Sequence, residues 1–186
     1  MLDQAVPRKL PEGHVASLPA IYLAADYRWE WQGDWRSIRI GEPAPELDTA
    51  FPDAARFGML TASNPGHLTR NDADNRAADF VLQHELERFG LGHRPGFAMA
   101  PNRAWKAYNW LVVDPDVEIF DALGRRFGQI GTLLWSRGAP VRLRMHARPP
   151  EGSAKHPWVQ HPSIDWIGAP GDSEPASSGE NRPPTA

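Results

Sequence analysis

The residues best equipped for chemistry fall in four separated runs: Thr61, Ser63, Asn64 and His67; Asn75; Trp105 to Asn109; and Gln129. Amides and hydroxyls of this kind hold a polar ligand by hydrogen bonding without adding charge. Trp105 and Tyr108 offer flat apolar surfaces, and a helix starting near Asn71 would present free backbone N–H groups to an anion. This composition suits binding, and the expected ligand is a small polar molecule or a nucleotide. Its site would be formed by Thr61, Asn64, His67, Asn75, Trp105, Asn109 and Gln129. For proton transfer the sequence has two candidates, His67 and Glu85. Glu85 falls on an apolar helical stripe, where burial would raise its pKa, and Asn64 and Gln129 would orient a substrate. The same residues also have a plainer reading. Asn64 caps a turn, Asn75 and Gln129 satisfy buried backbone, Trp105 plugs the core, and Glu85 pairs with an arginine such as Arg88 or Arg56.

Other chemistries find little support. The chain has no cysteine, which removes disulfides, thiolate nucleophiles and cysteine-bound metals. His146, His156 and His161 lack the spacing of a ligand-bearing helix or turn, and no cofactor or metal is expected. Neither a Gly-x-Ser-x-Gly elbow nor a phosphate loop is present. The net charge is −3 and the pI about 6.1, so no global positive field points to nucleic acid. A local strip, Arg142, Arg144 and Arg148, reads most simply as a solvated edge strand.

The elements that must position the candidates follow from periodicity. Tyr27, Trp29 and Trp31 share one face of an extended run, Gln32-Gly33-Asp34 is a turn, and Trp35 to Ile40 returns as a strand. A Pro-rich connection covers Gly41 to Asp53. Phe57 to Ala62 is apolar on both faces, as in a central strand. A helix over Asp72 to Phe89 is capped by Asn71 or Asp72 and ended by Gly90. Ala78, Val81, Leu82, Leu86 and Phe89 form its stripe, and Phe80 points away from it. His93 to Met99 and Ala107 to Val113 form a hairpin. A second helix starts at Asp114-Pro115-Asp116 and buries Ile119, Leu123 and Phe127. Ile130 to Trp135 and the alternation of Val141, Leu143 and Met145 supply two more strands.

The order β-α-β-β-α-β is that of an α+β, ferredoxin-like core with a mainly antiparallel sheet, extended by an N-terminal hairpin and a C-terminal strand. It brings the segments around Asn64, Trp105 and Gln129 to one end of the sheet. Residues 1–18 read as loose, 19–167 as one domain, and 168–186 as a disordered tail too poor in apolar residues to offset its ordering entropy. No run approaches the length of a membrane span or a signal peptide, so the expectation is a cytoplasmic protein without a membrane partner.

The runs Leu60-Thr61-Ala62-Ser63-Asn64-Pro65, Asn75, Trp105 and Arg126-Phe127-Gly128-Gln129 together resemble an uncharacterised bacterial family, the domain of unknown function 3293. The resemblance spans about residues 20–146, and Ile38-Arg39-Ile40-Gly41-Glu42-Pro43 fits it too. It implies the same strand–helix order and brings no known reaction. This chain departs from the pattern twice. Ser63 stands at a usual tryptophan, and Trp105-Lys106-Ala107-Tyr108-Asn109 replaces a glutamate-bearing motif, with Ala107 at the carboxylate position. If that glutamate acts as a base in relatives, this chain has lost it. The leading reading is therefore a non-catalytic binding or regulatory module. One rival is an enzyme using His67 or Glu85. The other is a protein–protein adaptor, or a homo-oligomer, docking through Trp29, Trp31 and Trp35.

Overall fold

The computed structural model describes residues 12–152 and 156–168. Among these, eight strands form one sheet and four α-helices pack against it. In chain order the elements are α1 (Glu12–Ala24), β1 (Asp26–Trp31), β2 (Asp34–Ile38), α2 (Pro45–Ala50), β3 (Arg56–Leu60) and α3 (Asp72–Arg88). Then come β4 (Gly92–Met99), β5 (Lys106–Val113), α4 (Val117–Arg126), β6 (Gly131–Ser136), β7 (Leu143–Met145) and β8 (Ile164–Trp166). The strand order is β2-β1-β4-β5-β3-β6-β7-β8. Every named pair is antiparallel except β7 with β8. The chain is thus α+β, with a wider sheet than the periodicities alone suggest.

The sheet curls. Beyond β2 the chain swings away, and Ile40 and Pro43 bridge to Val141 and Pro140 between β6 and β7. The Gly41 N–H donates to the Val141 carbonyl at 2.8 Å, and the Val141 N–H donates to that of Glu42 at 2.9 Å. The two sides of the sheet are thereby drawn together around an inner face. That face holds Tyr27, Trp29, Phe57, Met59, Leu111, Leu133, Trp135 and Leu143. Leu18 of α1 and Leu47 of α2 are fully buried in the same cluster. On the outer face α3 and α4 bury Leu82, Leu86, Phe120 and Leu123 against Leu60, Val112 and Leu134.

Local signals explain most boundaries. Gln32 and Gly33 both have positive φ, 53° and 87°, the conformation that matches a two-residue hairpin to the twist of its strands. Asn71 caps α3 by accepting from the Asp74 N–H at 2.8 Å, and Gly90 leaves the helix at φ 66°. The cap of α4 is Asp116, one residue past the proline, accepting from the Glu118 and Ile119 N–H groups.

Three expectations need correction. Residues 12–18 are not loose: they open α1, in which Ala16 is buried and Leu18 packs into the inner-face cluster. Residues 1–11 lie outside the described part, as does the expected disordered tail beyond Gly168. The Pro-rich connection contains α2, started by Pro45 at its first position. The chain also continues past the last expected strand. Trp158 donates its indole N–H to the Ala16 carbonyl at 2.6 Å, and β8 adds to β7.

Candidate functional site

The loop after β3 is built from residues that L-amino acids rarely occupy: Asn64, Gly66 and His67 all have left-handed φ, at 49°, 65° and 59°. Such a loop must be held from outside, and it is. The Asn64 N–H donates to Asn75 Oδ1 at 3.0 Å, and Asn75 Nδ2 donates back to Asn64 Oδ1 at 3.1 Å. The Arg70 N–H donates to the same Asn64 oxygen. From the far side Gln129 Nε2 donates to the Ser63 and Phe127 carbonyls, both at 3.1 Å. The Gly66 N–H reaches the Gly128 carbonyl at 2.7 Å. Thr61 Oγ1 donates to the Tyr108 carbonyl and accepts from the Ser63 N–H.

Thr61, Asn64, Asn75 and Gln129 are therefore joined at one end of the sheet, as the strand order requires. The amides of Asn64, Asn75 and Gln129 bond mainly to one another and to backbone. They hold the loop. The nearby N-terminus of α3 is also unsuited to an anion, since Asn71 already caps it and Asp72 and Asp74 line its first turn.

The remaining candidates stand apart. α1 closes over this end. A Cβ on Gly131 would meet the Tyr22 ring at 2.6 Å, and the His67 ring lies edge-on to Tyr22 and His14, with centroids 6.1 and 5.9 Å away. Burial keeps the pKa of His67 below the usual histidine value, and the neighbouring His14 adds to that. Trp105 packs on the inner cluster at the other flank of α1. There it lines an open hollow of about 520 Å³ with Ala20, Ile21, Ala24 and the β4–β5 turn. Asn109 is buried, its amide turned onto the Ala107 carbonyl of its own strand.

Glu85 is not a raised acid. Its carboxylate accepts from Arg88 at 2.6 Å and Arg126 at 2.8 Å, and these guanidinium groups, Arg88 foremost, hold its pKa below the usual carboxylate range. Two members of the basic strip are neutralised, Arg142 by Asp165 and Arg144 by Asp121. Among the described residues no three histidine or carboxylate side chains are placed to hold a metal ion, and no helix is long and apolar enough to cross a membrane.

The sequence reading missed a surface on the outer face, formed by side chains of β2, β4 and β5. Trp29 is buried and Trp31 packs on the inner cluster, so neither is free to dock. Trp35 is different: it pairs with Glu30 and so takes the opposite face. Its ring lies 4.8 Å from that of Phe97. Lys106 Nζ sits over the Phe97 ring at 4.0 Å and near Tyr108 at 5.3 Å. Trp35 is 46% exposed and Tyr108 62%. The signal was in the hairpin itself. A two-residue turn places Trp35 opposite Glu30, the residue between Trp29 and Trp31, and the period of two does the rest.

Residues 60–131 match the family model described as a protein of unknown function (DUF3293). The resemblance carried by the Thr61–Pro65, Asn75, Trp105 and Phe127–Gln129 motifs therefore holds over this stretch, which runs from the end of β3 to the start of β6. β1, β2, β7 and β8 lie outside it. No curated protein and no solved structure gives a significant match to the chain.

Proposed function

We propose that this protein is a non-catalytic recognition module that engages a macromolecular partner through the outer face of its curled sheet. The reading rests on one observation. Trp35, Phe97, Lys106 and Tyr108 form a continuous aromatic and cationic cluster on the outer face of β2, β4 and β5. Exposed clusters of this kind mark interaction sites more often than scattered surface residues do. Support also comes from the candidate catalytic groups, since the amides of Asn64, Asn75 and Gln129 brace a loop and Glu85 is locked between two arginines. We read the central order β4-β5-β3-β6, with two helices crossing on one side, as the ferredoxin-like split arrangement, widened here by flanking strands.

The test is site-specific photocrosslinking. Benzoylphenylalanine placed at Trp35 or Tyr108 should form a discrete adduct in cells, lost when Lys106→Glu is added. At Glu87, exposed on α3, no such adduct should appear. The same adducts at all three positions, or none at any, would remove the reading.

The hollow beside Trp105 supports a second reading, a small-ligand site. Seven of its eight lining residues are apolar, Asn102 being the exception, so the ligand would be flat and largely apolar and not a nucleotide. Fragment hits that shift the Trp105 indole and the Ala20 and Ala24 methyl signals together would support this. Hits spread over the surface would dismiss it.

A further inference from the structure

We infer that the edge of β2 pairs with a second copy of this chain, the two strands running antiparallel about a two-fold axis at Trp35, so that two sheets join into one. The inference goes beyond the recognition reading, because it stands on the edge of the sheet and not on its face.

The strand is regular enough to pair. β2 ends the strand order and keeps unbroken register with β1 from Asp34 to Ile38. It contains neither a bulge nor a proline, the usual blocks on an edge. The two-residue turn makes Trp31 and Asp34 the first hydrogen-bonded pair of the hairpin. Alternation then points the main-chain N–H and C=O groups of Trp35 and Ser37 away from β1. Among the described residues, nothing beyond β1 bonds to them. The Trp35 ring does not obstruct the edge, since it reaches across β1 to Phe97 at 4.8 Å.

The charges select the occupant. Asp34 and Arg36 flank Trp35 with opposite signs. An antiparallel pairing that keeps the two faces of the sheets aligned has few registers. Centred on Arg36, it sets the two Arg36 side chains against each other. Centred on Ser37, it sets Arg36 against Ile38 and Asp34 against Ile40 of the second copy. Centred on Trp35, it sets Asp34 of each copy against Arg36 of the other, and the two Trp35 residues exchange N–H···O=C bonds. The Asp34 side chain is free to take this role. It is 76% exposed and only 3.7 Å from the Arg36 of its own strand, a contact of little worth in water. An unrelated strand would match the pattern by chance; a second copy matches it by symmetry. The contact is small, so the dimer is weak. It sets two clusters of Trp35, Phe97, Lys106 and Tyr108 side by side on one face.

The experiment is sedimentation velocity of the full chain from about 10 µM to 1 mM, and a dimer with a dissociation constant in roughly that range is expected. Asp34→Arg and Arg36→Asp each place like charges opposite at both contacts, and each should weaken the dimer roughly ten-fold or more. Mixed in equal amounts, the two variants regain opposite signs and should form a heterodimer. Circular dichroism confirms that both are folded. Should one not fold, amide hydrogen exchange of the wild-type chain decides, with protection of the Trp35 N–H rising with protein concentration. Protection that ignores concentration overturns the inference. So do a monomer at every concentration, a dimer indifferent to both charge changes, a mixture that stays monomeric, and species larger than the dimer. The recognition reading is judged separately. A crosslink at position 35 between two copies carries twice the mass of the chain and reports this contact, whereas adducts to another protein report that reading and survive the loss of the dimer.

Discussion

At the scale of single residues, the polar groups of this chain mostly serve the fold. The Asn64–Asn75 pair, anticipated as the plainer alternative, proves to be a reciprocal amide clasp around a left-handed loop. A second polar cluster went unnoticed in the sequence because its members lie on different elements. His146 is buried, its Nε2 within 3.1 Å of Thr132 Oγ1, and its Nδ1 has no partner in the protein. The charged groups facing it are Asp121, Arg125 and Arg144, with Asp121 paired to Arg144. Burial, the main cause, pushes the pKa of His146 from 6.5 down to about 4. The unfolded chain therefore takes up a proton that the folded chain refuses. The corresponding stability is fully present above about pH 6.5 and is lost as the pH falls toward about 4, amounting to about 3 kcal/mol at the acid end. Urea unfolding across this range should show that slope, and His146→Leu should flatten it. An unchanged slope in the variant would assign the acid limb to other groups.

At the scale of elements, the helices and strands of the family-matched segment were legible because each carries its own period and its own punctuation. The stripe of α3, its Asn71 cap, its end at Gly90 and the two-sided apolar strands are each read from a short run of neighbouring residues. What the pattern did not reveal is how closely α4 sits on β3. Gly58 lies directly beneath Phe120, and a Cβ there would stand 2.4 Å from the ring. Phe120 is fully buried, so the ring has no solvent-facing position to retreat to. Gly58→Ala should therefore destabilise the protein by about 1–3 kcal/mol through overpacking, although alanine ordinarily suits a strand better than glycine. Gly138→Ala has open space around it but a left-handed φ of 72°, so any loss there comes from backbone strain alone. The double variant Gly58→Ala with Phe120→Leu separates the two causes: relief of the loss confirms the clash, and additive losses would refute it.

At the scale of the whole molecule, the sequence showed the middle of the fold and missed its closure. The returning contacts of Ile40 and Pro43 join positions about a hundred residues apart, and no local period encodes them. α1 was missed because its apolar residues, Val15, Ala16, Leu18, Ile21, Tyr22 and Leu23, run nearly around the helix instead of forming one stripe, and because Pro19 interrupts it. Its role is nevertheless structural. Leu18 is fully buried with Tyr27, Trp29 and Phe57 in the inner cluster, Tyr22 packs over Gly131, and Trp158 reaches back to bond the Ala16 carbonyl. A residue in a loose N-terminal segment could be truncated at almost no loss. A residue that closes a core could not. Leu18→Ala should accordingly lower stability by about 2–5 kcal/mol, the range of buried leucine truncations, while Ser17→Ala, one position away and exposed at its hydroxyl, should shift it by no more than about 0.5 kcal/mol. Chemical denaturation of the two variants beside the parent decides the matter. Equal, small effects would mean that α1 is detached in solution and that the inner face of the sheet is open at the end where Asn64 and Gln129 meet.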